Sequence, residues 1–142
     1  MPVSLRNIWT REVLPVDPDR PPPQMLVNDF LRCHYTNQAT TMDPRLIRVV
    51  VGAAARHKSR LVEVVSGFRS PKYNLLLRKK GHEVARESQH PLGHAVDFRI
   101  YGVPTRQLVE FVRSQNLGGV GYYPRAAFIH ADVGPVRFWK GK

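Results

Sequence analysis

The sequence predicts an α+β protein: a single domain in which two to four helices pack on a small, mostly antiparallel sheet. Three observations carry this expectation. Leu46, Ile47, Val50, Val51, Ala54 and Ala55 recur at i, i+3, i+4, the stripe of a core helix. Leu61 to Val65, His94 to Ile100, Gly118 to Tyr123 and Ala127 to Val133 are short, apolar and β-branched, as strands are. The 142 residues suffice for one modest core, and no internal repeat or linker divides them.

Taken in order, residues 1–24 are punctuated by Pro15, Pro18 and Pro21 to Pro23, which deny a regular helix. This stretch is expected to be an arm lying on a domain of residues 25–142, with a short extended edge over Asn7 to Val13. Leu26, Phe30, Leu31 and Cys33 have roughly helical spacing within Met25 to His34. Asp43-Pro44 reads as N-cap plus first helical residue of the core helix, which Arg56, His57 and Lys58 close on the dipole's negative end. Ser70-Pro71 repeats the cap signal for a helix running through Tyr73 to Lys80 and stopped by Gly81. In the strand His94 to Ile100, Ala95, Asp97 and Arg99 share one face. Val103-Pro104-Thr105 opens a helix that turns Leu108, Val109, Phe111 and Val112 inward. Two short strands then meet around Pro124-Arg125 as a hairpin, and Pro135 to Lys142 closes the chain with Phe138 and Trp139.

Composition narrows the function classes. No apolar run approaches the roughly 18 residues a membrane span needs. Met1 to Trp9 has one positive charge, Arg6, and lacks the apolar block of about 7–15 residues of a secretory signal. Cys33 is the only cysteine, so an internal disulfide and a multi-cysteine zinc site are both excluded. Any metal is held by His, Asp or Glu. The net charge of +11 is spread along the chain and favours polyanionic partners, nucleic acid or a carboxylate-rich bacterial wall. Gly118-Gly119-Val120-Gly121 precedes no helix and lacks a Gly-Lys-Ser/Thr ending, so it is no phosphate loop.

His90 and Asp97 are the first chemical candidates. His90 lies on a loop, Asp97 on the following strand, and Gly93 lets the backbone turn back so that both could reach one metal ion. The competing reading is a loop histidine and an aspartate paired with an arginine. Pro91 and Gly93 argue against a helix that would present His90 and His94 as a zincin pair. His130 sits in an apolar strand with Asp132 on the same face. His34, His57 and His82 read as surface residues. Arg69, in the Ser-Gly-Phe-Arg-Ser turn, is placed to stabilise an oxyanion, to grip a carboxylate or to form a salt bridge. Tyr73, Tyr122, Tyr123 and Trp139 are candidates for substrate contact, with core packing as the alternative. Nucleophilic catalysis is poorly supported: Cys33 and His34 are neighbours on a predicted helix and point apart, and no Gly-x-Ser-x-Gly elbow is present.

Ser66-Gly67-Phe68-Arg69-Ser70-Pro71, Ser88-Gln89-His90-Pro91-Leu92-Gly93-His94-Ala95-Val96-Asp97, Gly118-Gly119-Val120-Gly121-Tyr122-Tyr123-Pro124 and Phe128-Ile129-His130-Ala131-Asp132-Val133-Gly134 occur in that order. Over residues 25 to 140 the chain resembles the D-Ala-D-Ala zinc metallopeptidase family. This group spans peptidoglycan D,D-carboxypeptidases and murein endopeptidases and shares the hedgehog fold. Gly134-Pro135-Val136-Arg137-Phe138-Trp139 is most similar to the endopeptidase branch. The resemblance implies one Zn²⁺ held by His90, Asp97 and His130, with Ser88 and Arg69 at the substrate. It implies hydrolysis of peptide bonds in peptidoglycan stem peptides or cross-links by metal-activated water. The expected setting is a monomer in the periplasm or outside the cell, with muropeptide as partner and no specific nucleic acid. Many relatives carry their general base as Glu three residues before the last ligand or His two before it, where this chain has Ala127 and Phe128. Asp132 is then the candidate for base or for a partner that orients a ligand. Glu83 and Glu87 stand behind it. The alternative implied by the missing base is a non-catalytic, zinc-containing wall-binding module.

Overall fold

A computed structural model describes residues 2–81 and 88–142. Strands β1 (Val3–Asn7) and β2 (Val13–Val16) form a hairpin, followed by helices α1 (Gln24–Phe30) and α2 (Pro44–Arg56). Then come β3 (Leu61–Ser66), α3 (Pro71–Lys79), a 3-10 turn at His90–Leu92, β4 (Ala95–Ile100) and α4 (Thr105–Ser114). Strands β5 (Gly119–Tyr123), β6 (Phe128–Asp132) and β7 (Arg137–Lys140) complete one seven-stranded sheet, ordered β2-β1-β3-β4-β6-β5-β7. The α+β expectation holds. The sheet is mixed rather than purely antiparallel, because β1 runs parallel to β3 and β5 parallel to β7.

Both predicted caps form. The Asp43 carboxylate accepts from the Arg45 N–H at 2.9 Å and the Ser70 hydroxyl from the Tyr73 N–H at 3.2 Å, each with Pro at the first helical position. Helices α2 and α4 lay their apolar stripes on one face of the sheet. Leu46, Val50, Leu108 and Val112 meet Val62, Val96, Phe98 and Ile129 there, all eight of them inaccessible to solvent. Burying a side chain of this kind stabilises by about 1.5–3 kcal/mol.

Three local expectations change. The N-terminal segment supplies two strands instead of an edge over 7–13; Ile8 to Thr10 form the turn between them. Val3, Leu5 and Asn7 alternate inward along β1, and Pro15 is tolerated because β2 is an edge strand. The first helix stops at Phe30, leaving His34 in the turn beyond it. The C-terminal segment pairs as β7 against β5.

One irregularity bears on the site. Val64 pairs with Phe98 and Ser66 with Asp97, so Val65 is an extra residue in β3. Such a bulge bends its strand and re-aims the side chains beside it.

Candidate metal centre

Strand alternation puts Val96 and Phe98 into the core and turns Asp97 to the other face. Asp97 is paired directly across the ladder with His130 of β6, which shares that face. His90 arrives from the 3-10 turn, which Gly93 closes at φ +73°. A side chain at Gly93 would be strained there, and its Cβ would stand 2.6 Å from the Thr41 carbonyl oxygen. The turn thus brings a residue seven positions upstream back onto the strand.

His90, Asp97 and His130 are all buried, and one ligand atom from each lies within 4.8 Å of the others. His90 Nδ1 donates to the Gly67 carbonyl at 2.7 Å, which leaves Nε2, 3.2 Å from Asp97 Oδ1, with the lone pair. His130 Nε2 donates to Asp132 Oδ2 at 2.7 Å, and its Nδ1 lies 2.9 Å from the same Asp97 oxygen. Each imidazole therefore spends one nitrogen on a fixing partner and turns the other to Asp97. Two histidines and a carboxylate, oriented by an outer layer of acceptors, form a donor set that suits Zn²⁺.

At His90 and Asp97 the electrostatics agree with that use, while His130 has to give up a proton to serve as a ligand. Burial, helped by the Arg69 charge, pushes His90 down to about 4, so it is neutral at neutral pH, as a ligand must be. Burial also acts to raise Asp97 and to lower His130. In both, their charges and hydrogen bonds outweigh it, holding the Asp97 carboxyl well below the usual carboxylate range and His130 above its ordinary value.

Asp132 is almost wholly buried behind His130. Besides His130, its carboxylate accepts from the Gly119 N–H at 2.8 Å and the Gly134 N–H at 2.9 Å. These bonds outweigh burial and keep it ionised. The arrangement fits the orienting role and not that of a base, since His130 stands between Asp132 and the ligand atoms. The glycine run of β5 makes room for it. A Cβ on Gly119 would meet Asp132 Oδ2 at 2.5 Å, and one on Gly121 would meet the Trp139 ring at 2.7 Å.

The cluster opens into a cleft of about 990 Å³. Arg69, Tyr73, Ser88, Tyr123 and Trp139 all line it. Arg69 is mostly buried, 3.9 Å from Asp97 Oδ2, with its Nε unpaired. The Ser88 hydroxyl accepts from the His90 N–H at 3.2 Å. Trp139 lies 5.0 Å from the His130 ring, centroid to centroid, and its Nε1 donates to the Tyr123 hydroxyl at 2.9 Å. Tyr122 is a correction. It alternates with Tyr123, so it packs against the core on the opposite face, away from the cleft.

Two cleft residues were missed. His34 is half-buried, stacked under Trp9 at 4.2 Å, and its Nε2 lies 3.2 Å from the Tyr73 hydroxyl. Only the fold of the N-terminal hairpin joins residues 9 and 34, so no local spacing marked them. His57 instead caps α2, with Nδ1 at 2.9 Å from the Ala53 carbonyl. His82, Glu83 and Glu87 lie outside the described residues.

The family described as peptidoglycan L,D-endopeptidase MepK matches residues 22–139. A probable peptidoglycan L,D-endopeptidase MepK of Haemophilus influenzae is 41% identical over 116 residues, which are 79% of this chain and 61% of that protein. The peptidoglycan L,D-endopeptidase MepK of Escherichia coli K12 is 37% identical over 116 residues, 80% of this chain and 63% of that protein. The chain thus spans a little under two thirds of the length of these curated relatives. No solved structure matches.

Proposed function

We propose a function from one premise: the chain belongs to the peptidoglycan L,D-endopeptidase MepK family, a group of D-Ala-D-Ala-type metallopeptidases. The reading is a zinc-dependent peptidase that hydrolyses peptide bonds in peptidoglycan cross-links, with the L,D bond named for its relatives as the first to try. The observation that carries it is the convergence of His90 Nε2, Asp97 Oδ1 and His130 Nδ1, each imidazole pinned by a separate acceptor.

His90, Asp97 and His130 would hold the ion. Zinc in such a set lowers the pKa of water to about 7 and polarises a carbonyl. Asp132 keeps the His130 ring turned to the cluster, and the Gly67 carbonyl does the same for His90. Arg69, a cation held in the cleft wall beside Asp97, is positioned to take up charge on the substrate's carbonyl oxygen or to bind its carboxylate. Ser88, Tyr73, Tyr123 and Trp139 line the path of the peptide. A wall substrate places the activity in the periplasm or outside the cell. Among the described residues no helix is long and apolar enough to cross a membrane.

One observation favours the second reading, a wall-binding module that keeps zinc without catalysis. Among the described residues lining the cleft, Asp97 is the only Asp or Glu, and it belongs to the proposed metal set. Incubating purified cross-linked muropeptides with the protein, with and without chelator, separates the two. The peptidase reading expects a cut that the chelator stops and zinc restores. Stoichiometric zinc without any cut supports the module.

A further inference from the structure

The cleft has two unlike walls. On the β7 side stand Arg125 and Arg137, both cations. On the β3 side stand Trp9, His34 and Tyr73, all aromatic. The strand order β3-β4-β6-β5-β7 sets the metal ligands of β4 and β6 between them. Four strand spacings come to about 19 Å, so a substrate touching both walls extends well past its scissile peptide.

The aromatic wall is built, not incidental. Trp9 sits in the β1–β2 turn, outside the residues matched by the family. Its Nε1 donates at 2.8 Å to the carbonyl of Val65, the bulged residue of β3. Its ring lies parallel to His34, 4.2 Å apart at 5°, and His34 in turn meets Tyr73 edge-on at 5.0 Å. Burial lowers His34 below its ordinary value, so the wall is uncharged at neutral pH. Even so anchored, Trp9 is 55% exposed. A rigid, exposed indole loses little entropy when something packs on it.

The chemistry of the wall limits what packs there. Trp9 Nε1 and His34 Nε2 are already engaged, so the stack offers a π face rather than hydrogen bonds. A peptide backbone laid on it would leave its amides unserved. A pyranose ring presents a flat face of C–H groups, which suits the negative face of an indole. Resting on the proposed wall substrate, we infer that Trp9, backed by His34, is a sugar-binding platform that holds the glycan portion of the substrate while its peptide lies at the metal centre.

The test is binding, which does not depend on cleavage. Two ligands are titrated by calorimetry: an uncross-linked disaccharide–peptide, and the same peptide freed of its sugars. The sugar-bearing ligand is expected to bind about tenfold tighter. In Trp139→Phe, where Trp9 is the remaining tryptophan, its fluorescence shifts to the blue with that ligand only. Trp9→Ala removes the difference, and Trp9→Phe, which keeps the flat ring, retains most of it. Equal affinities in the unaltered protein, or a preference that survives Trp9→Ala, overturn the platform. Digestion of cross-linked muropeptides is scored apart. A protein that cuts them but binds both ligands equally keeps the peptidase and loses the platform. One with the sugar preference but no cleavage does the reverse.

Discussion

His90, Asp97 and His130 converge only because other atoms hold them so, and on the proposed reading removal of any one should be read as loss of metal. His90→Ala and Asp97→Ala are each expected to lose zinc by elemental analysis while staying folded; stoichiometric zinc in either would reject the assignment. Asp132→Asn tests the outer layer. It removes the carboxylate that fixes His130, and the expected cost is about 10–100-fold in zinc affinity. The pH dependence has a definite sign. His130 is held above its ordinary value, so below that raised value a proton competes for Nδ1. Zinc affinity, followed by competition with a chelating dye, should rise with pH through the range above 6.5 and then level off. In Asp132→Asn the levelling should come at lower pH, since a carboxylate that raised His130 is gone. An unchanged profile would show that Asp132 does not govern this ring. At this scale the grouping of His90, Asp97 and His130 was legible from motif order, whereas the choice between the two candidate roles of Asp132 was not. Two residues on one strand face can pair or point apart, and the His130 tautomer became assignable only once the Gly119 and Gly134 amides were seen to hold the carboxylate in place.

The elements explain how a small sheet carries the site. Strand β5 gives up side chains at Gly119 and Gly121 so that Asp132 and Trp139 can lie against it. Gly121→Val should push Trp139 off the His130 ring and cost about 1–3 kcal/mol by overpacking. Denaturant melts measure the cost, and an unchanged midpoint would mean the ring has room to move. Asp43→Ala removes the α2 cap at about 1 kcal/mol but keeps the backbone N–H that donates to the Gly93 carbonyl at 3.0 Å, so zinc content should be left alone. Helices α2 and α4 were readable because their stripes repeat over several turns. Strand β7 was not, because Phe138 and Trp139 lack the alternation of a half-buried strand and pair only where β5 offers an edge. The glycine run could be excluded as a phosphate loop from sequence. Its use, close approach, appears only in three dimensions.

At the scale of the molecule, the N-terminal hairpin is the least expected part. The family match begins at residue 22, yet β1 pairs with β3 and buries Val3 and Leu5 in the common core. Deleting residues 2–21 should abolish the cooperative thermal transition or cause aggregation, because it uncovers the β3 edge and that apolar surface. A melting temperature equal to that of the full chain would contradict this. Proline-rich sequence hid these strands, since Pro15 reads as a breaker and is harmless only on an edge. The charge of +11, by contrast, was plain from composition, and the structure adds that Arg125 and Arg137 line the cleft. The central claim joins all three scales: the buried triad, carried by the 3-10 turn, β4 and β6, is proposed to act on wall peptides through zinc. Digestion of purified cross-linked muropeptides, followed by mass spectrometry, tests it most directly. The account predicts cleavage of a cross-link peptide bond that chelator stops, zinc restores and Asp97→Ala lacks. Intact muropeptides after incubation with the zinc-loaded protein would contradict it.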